Sequence, residues 1–144
     1  MKGYLLDVNV LIALAWPNHL NHAAAHEWFN RESPNGWGTC MVTQIGFVRV
    51  SSHPAFDQHV STQHAWQKLL EIAALPGHSF WPEPAEGCSN PTFLQTLPNM
   101  LTHGIVTDGY LATVAASNGG KLATSDRQLV RTYPQIAVLV GSAS

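Results

Sequence analysis

Leu5-Leu6-Asp7-Val8-Asn9-Val10-Leu11-Ile12-Ala13-Leu14 is the stretch on which the reading of this chain turns. The short apolar run from Gly3 to Leu6 has strand character and ends on a carboxylate, Asp7. Val8 to Trp16 then continues as a helix that Pro17 must stop, because proline has no amide hydrogen and clashes with the preceding turn. A strand that hands an aspartate to a strand-to-helix turn begins an α/β unit, and in such units ligands collect beyond the carboxyl ends of the strands.

Working outward, Leu20, Ala24 and Trp28 repeat every fourth residue with Ala25 and Phe29 beside them, which predicts a one-faced helix ending near Ser33-Pro34-Asn35-Gly36. Trp37 to Val42 reads as a strand, and Thr43 is placed to cap a helix carrying Ile45, Phe47, Val48 and Val50. Ser61 caps a helix through Leu75, with Trp66, Leu69, Leu70 and Ala73 on its buried side. His78 to Trp81 is a strand, Pro82 to Pro91 a turn-rich surface loop, and Pro91 to Leu97 a short helix. Thr107 caps a helix that Gly119-Gly120 ends. Lys121 to Thr124 is a strand reaching Asp126, a helix runs to about Tyr133, and Ile136 to Val140 is the last strand. This order predicts one α/β domain over residues 1–144, with a mainly parallel sheet of four to five strands between helical layers.

Composition narrows the function classes. A chain of 144 residues with 45 % apolar and 11 % charged side chains buries a core and is no disordered tail. Seven Lys and Arg against nine Asp and Glu exclude binding of nucleic acid by bulk positive charge alone. Cys40 and Cys88 stand far apart with no C-x-x-C spacing, which offers neither a zinc knuckle nor a disulfide framework. Asp7 and Asn9 interrupt the apolar stretch that a signal peptide after Lys2 would need, and no run approaches the ~18 to 20 apolar residues of a membrane span. The expectation is a soluble, cytoplasmic protein with no membrane partner.

With so few charges, the positions of the carboxylates carry information. Asp7 closes the first strand, Asp126 follows the Lys121 to Thr124 strand, and Asp108 lies in the first turn of the helix between them. In a parallel sheet these three can meet at one rim, where their mutual repulsion favours a hard divalent cation such as Mg²⁺ or Mn²⁺. Each taken singly also suits a helix cap or dipole partner, and composition and periodicity leave both roles open.

Four blocks resemble one family in order and spacing. Leu5 to Leu14 looks like the opening of a PIN-domain ribonuclease, in particular of the VapC toxins of bacterial toxin-antitoxin systems. Thr43-Gln44-Ile45-Gly46-Phe47-Val48-Arg49-Val50, Val106-Thr107-Asp108-Gly109-Tyr110-Leu111 and Leu122-Ala123-Thr124-Ser125-Asp126-Arg127 resemble its second, third and fourth blocks. The resemblance implies a PIN-like three-layer αβα sandwich and a metal-dependent endoribonuclease that hydrolyses RNA phosphodiester bonds with Mg²⁺ or Mn²⁺. It assigns Asp7, Asp108 and Asp126 as catalytic metal ligands, and Asn9 and Thr124 as polar residues that orient them or their bound waters. It implies a homodimer and a small cognate antitoxin.

The departure from the pattern is Gln44, which stands where the family usually has glutamate. An amide can hydrogen-bond a bound water but adds no negative charge. Two readings follow: a working nuclease with Gln44 in its catalytic set and an altered metal demand, or a catalytically weak domain that binds RNA or antitoxin. Arg49 and Arg127 are candidates to grip the RNA backbone, and Arg131 is as readily a solvated surface charge.

Other features have plainer alternatives. His19, His22 and His26 share a helical face that could hold Zn²⁺, although no cysteine or acid completes a ligand set. Trp28 and Trp66 are expected in the core, as is Trp81, which with Phe80 could instead stack a base. A dehalogenase-like phosphatase would need a second aspartate where Asn9 stands.

Overall fold

The computed structural model describes residues 3–141; Lys2 lies outside them. The chain runs β1 (Tyr4–Leu6), α1 (Val8–Ala15), α2 (His22–Glu32), β2 (Trp37–Thr39), α3 (Met41–Ser51), α4 (Thr62–Ala73), β3 (His78–Phe80), α5 (Pro91–Thr96), α6 (Val106–Ser117), β4 (Lys121–Thr124), α7 (Arg127–Thr132) and β5 (Ala137–Leu139). The five strands form one sheet in the order β3-β2-β1-β4-β5, and every neighbouring pair is parallel. All strands therefore point the same way, and their carboxyl ends share one edge.

Adjacent residues of β1 show why both faces are covered. Leu5 and Leu6 point to opposite sides of the pleat, and both are completely buried. Leu6 joins a core built with α1 to α4, through Val10, Trp28, Phe47 and Leu69. Leu5 joins a second core built with α6 and α7, through Leu111, Val114, Leu129 and Tyr133. The sheet lies between two helical layers, as expected from the alternation of strand and helix patterns.

Trp81, fully buried just after β3, lies across the second core. Its indole is the reason for two glycines: a Cβ at Gly38 would stand 2.1 Å from Nε1, and one at Gly120 would stand 2.3 Å from Cη2. Trp81 is a core residue and stacks no ligand.

Several local expectations are corrected. β2 ends at Thr39, and α3 begins at Met41 behind Cys40. Thr43 therefore lies inside the helix, where its hydroxyl accepts from the Cys40 amide and donates to the Cys40 carbonyl, both at 3.0 Å. Likewise α6 starts at Val106, one residue ahead of Thr107. Leu20 precedes α2 and is 95 % exposed. On α4, Ala65, Leu69 and Ile72 are buried, whereas Trp66 is 45 % and Leu70 52 % exposed, so the buried face is rotated from the one expected. Among the described residues, no helix is long and apolar enough to cross a membrane.

Candidate active site

The carboxyl ends of β1 and β4 are adjacent, with Leu6 opposite Ala123 in the ladder, so Asp7 and Thr124 follow side by side. Asp7 caps α1 from an extended backbone conformation, its Oδ1 accepting from the Val8 amide at 2.7 Å. Its Oδ2 accepts from the Thr124 hydroxyl at 2.7 Å. The Thr124 oxygen in turn accepts from Asn9 Nδ2 at 3.2 Å and from the Asp126 amide at 3.1 Å. A hydroxyl has one proton and two lone pairs, and here all three are used. Asn9 Oδ1 accepts from the Ser125 amide at 3.1 Å, closing the network. Asp7, only 7 % exposed, is thus held in one orientation by the adjacent Val8 amide and the distant Thr124 hydroxyl. Thr124 touches this carboxylate directly, whereas Asn9 reaches it only through Thr124.

Asp126 caps α7, its Oδ1 accepting from the Gln128 and Leu129 amides at 2.9 and 3.4 Å, and its side chain is exposed. Asp108 lies in the first turn of α6. Burial, and then the charges of Asp7 and Asp126, push the Asp108 carboxyl up to about 6. Burial also raises Asp7; the hydrogen bonds from Thr124 and Val8 oppose the rise, and the charge of Asp126 adds to it. The charges of Asp7 and Asp126 thus reach Asp108, second to its burial.

Partly desolvated carboxylates that repel one another suit a hard divalent ion, and an all-oxygen donor set is the chemistry of Mg²⁺ and Mn²⁺. Among the described residues no three His, Cys, Asp or Glu side chains already stand as a ligand cage. Mg²⁺ commonly takes only one or two carboxylates and keeps several waters. The donors present fit such an ion.

Asp7 and Asp108 open into a cleft of about 1270 Å³ between α3 and α6. Arg49, exposed on α3, lines the same cleft, with Ile45 and Val50 forming apolar wall. Asp126 and Arg127, both exposed at the start of α7, are not part of its walls.

Gln44 faces other partners. Its Nε2 donates to the buried Thr39 hydroxyl oxygen at 3.0 Å, and that oxygen lies 2.8 Å from His78 Nε2. Burial holds the His78 ring below the usual histidine range, favouring the neutral imidazole. Gln44 is not part of the cleft walls, and its amide belongs to an uncharged node at the end of β2. The reading of the sequence missed Thr39 and His78 here, and no local signal joins residues paired across a parallel ladder.

It also missed Glu83 and Tyr110 as a pair. Both line the cleft, and the Tyr110 hydroxyl donates to Glu83 Oε1 at 3.2 Å. Burial, then the charge of Glu83, pushes Tyr110 up to about 12. The histidine face of α2 does structural work: His22 Nδ1 and His26 Nε2 lie 2.8 and 2.9 Å from the Ala13 and Leu14 carbonyls. Carbonyls only accept, so both ring nitrogens carry protons and finish the end of α1.

An all-parallel sheet between two helical layers, with Asp7 and Asp126 following its adjacent strands β1 and β4, defines a PIN-like α/β domain. Comparison with known proteins makes this specific. The chain is 43 % identical over 129 residues to Ribonuclease VapC39 of Mycobacterium tuberculosis, covering 87 % of this chain and 89 % of that one. It is 37 % identical over 123 residues to Ribonuclease VapC38 of the same species, covering 85 % and 84 %. In the solved complex VapBC2 of Rickettsia felis, bound to a DNA fragment from its promoter, one chain shares the fold at a TM-score of 0.68 and 12 % identity, covering 97 % of this chain and 99 % of that one. VapBC-1 of nontypeable Haemophilus influenzae gives 0.67 at 13 % identity, covering 96 % and 98 %. No protein-family model matches the chain. At this identity and coverage, the chain belongs to the VapC ribonuclease family.

Proposed function

We propose that this protein is an endoribonuclease that hydrolyses RNA phosphodiester bonds with Mg²⁺ or Mn²⁺ at the edge formed by Asp7, Asp108 and Asp126, and that it is the toxin of a toxin-antitoxin pair. The observation that carries this reading is the network that fixes the Asp7 carboxylate at the adjoining carboxyl ends of β1 and β4, in a cleft that Asp108 also lines. The ribonuclease names of its relatives support the same activity, and the VapBC complexes among its structural neighbours support a small antitoxin as partner. A second copy of the chain belongs to the same reading.

Asp7, Asp108 and Asp126 would hold the ion. A divalent cation bound there would supply the Lewis acidity that makes water nucleophilic at neutral pH, and positive charge against the negative charge developing on the phosphoryl oxygens. The chain's own contribution is preorganisation. Thr124 and the Val8 amide fix the Asp7 carboxylate before substrate arrives, so its orientation costs nothing during the reaction. Asn9 and the Asp126 amide fix Thr124. Arg49, in the same cleft, offers a guanidinium to a phosphate of the bound strand. The non-catalytic alternative is not favoured, because the relatives at 37 and 43 % identity are named ribonucleases.

The test uses protein freed of copurified antitoxin and incubated with cellular RNA and Mn²⁺. Cleavage is expected, is abolished by EDTA, and falls at least ~100-fold in a folded Asp7→Asn variant. RNA left intact by the wild-type protein overturns the reading.

A further inference from the structure

Glu83 is a carboxylate in a cleft that, on the ribonuclease reading, receives a polyanion. It forms no ion pair among the described residues. Its hydrogen bond comes from the Tyr110 hydroxyl, which occupies one site on Oε1 and leaves the rest of the carboxylate open. An acceptor of this kind repels phosphates and is compensated only by donors that the ligand brings. Beside it, the Phe93 and Tyr110 rings lie 6.4 Å apart between centroids, tilted by 54°, and both line the same cleft as Asp7 and Asp108. Asp108 and Tyr110, both on α6, line this one cleft, so the aromatic pair shares it with the proposed hydrolytic edge.

We infer that Glu83, Tyr110 and Phe93 form a nucleobase subsite that selects an unpaired guanine next to the cleaved phosphate. The inference rests on the ribonuclease reading for its ligand, single-stranded RNA. Unpaired bases are read by stacking on aromatic side chains and by hydrogen bonds along their Watson–Crick edge. A carboxylate can only accept. Guanine offers it two adjacent donors, N1–H and the N2 amino group, one for each oxygen. Adenine and cytosine place a ring-nitrogen acceptor beside their one amino donor, and uracil flanks N3–H with two carbonyls. Each of these sets an acceptor against the second carboxylate oxygen. The Tyr110 hydroxyl steadies Oε1 from the protein side, while Arg49 is available to the strand's phosphate.

The experiment measures binding in EDTA, where nothing is cut. Fluorescently labelled pentamers UUGUU, UUIUU and UUAUU are titrated with the full-length protein; inosine (I) lacks only the N2 amino group of guanine. UUGUU should bind about 10-fold more tightly than either of the others, the scale of one bidentate base contact. Glu83→Gln, on an exposed loop, should reduce that preference to within about 2-fold. Equal affinities for the three pentamers, or a preference that survives Glu83→Gln, overturn the subsite. If Mn²⁺-dependent cleavage of cellular RNA persists in either case, the subsite alone has failed. If neither cleavage nor pentamer binding is found, the ribonuclease reading falls with it.

Discussion

Two threonines, Thr39 at the end of β2 and Thr124 at the end of β4, flank β1 on either side, and both are completely buried. Each hydroxyl is the hub of a small network, yet the networks differ in kind. Thr124 serves a carboxylate, an asparagine and a backbone amide. Thr39 serves an amide side chain and an imidazole held neutral by burial. The same residue at the same kind of strand end thus supports an anionic site on one side of β1 and an uncharged brace on the other. The difference teaches that the position of the strand end supplies the scaffold, while the side chains brought to it decide whether charge accumulates.

The largest effect should separate the two threonines directly. Thr124→Val removes the donor to Asp7 and should lower Mn²⁺ affinity, measured by calorimetry, by roughly 10- to 100-fold. Thr39→Val should change it by less than about 3-fold, and equal losses would break the distinction.

Asp108→Asn sharpens it from the side of charge. The folded protein raises this carboxyl from the ordinary 3.8 to about 6, so across that window the folded state binds more protons than the unfolded chain. Stability contributed by the protonated acid is complete below 3.8 and is lost as pH rises through about 6. At pH 7.5 without metal, Asp108→Asn should therefore stabilise the fold, by ~1 kcal/mol after solvent screening of this half-buried group, while abolishing cleavage. Denaturation at pH 4.5 and 7.5 checks the sign, because the gain should shrink at the lower pH.

Gln44→Glu replaces a donor to Thr39 with an acceptor and should cost ~1 kcal/mol in thermal denaturation, with Mn²⁺ affinity unchanged. A rise in affinity would mean that the side chain swings into the cleft and that the neutral brace is no separate region. The smallest effect belongs far from both hubs. His26→Ala leaves the Leu14 carbonyl without its partner and should cost ~0.5–1 kcal/mol with no change in cleavage.

Much of this arrangement was legible in the sequence, for identifiable reasons. Asp7 and Asp126 sit where an apolar run stops, and strands end where carboxylates and turns begin; β4 matches its expected bounds, Lys121–Thr124. The three candidate acids stand out because charge is scarce in this chain, but it is the resemblance of the surrounding blocks that marks them as ligands. What failed did so where spacing carries no information. Cys40 precedes α3 although it is no usual cap, so the nearest threonine was taken for one. On α4 the larger apolar side chains, Trp66 and Leu70, drew the buried face toward themselves, while Ala65, Leu69 and Ile72 are the residues that pack inward. The Gln44–Thr39–His78 brace depends on β2 lying beside β3, a register that nothing in either segment announces.

The bond between Thr124 and Asp7 joins positions 117 apart. A nascent polypeptide therefore carries the aspartate for more than a hundred further codons without the hydroxyl that orients it. Parallel pairing of β1 with β4 likewise waits until residues 121–124 clear the ribosome's exit channel. Any product cut short ahead of residue 121 lacks both the neighbouring strand and the hydroxyl that steadies the aspartate.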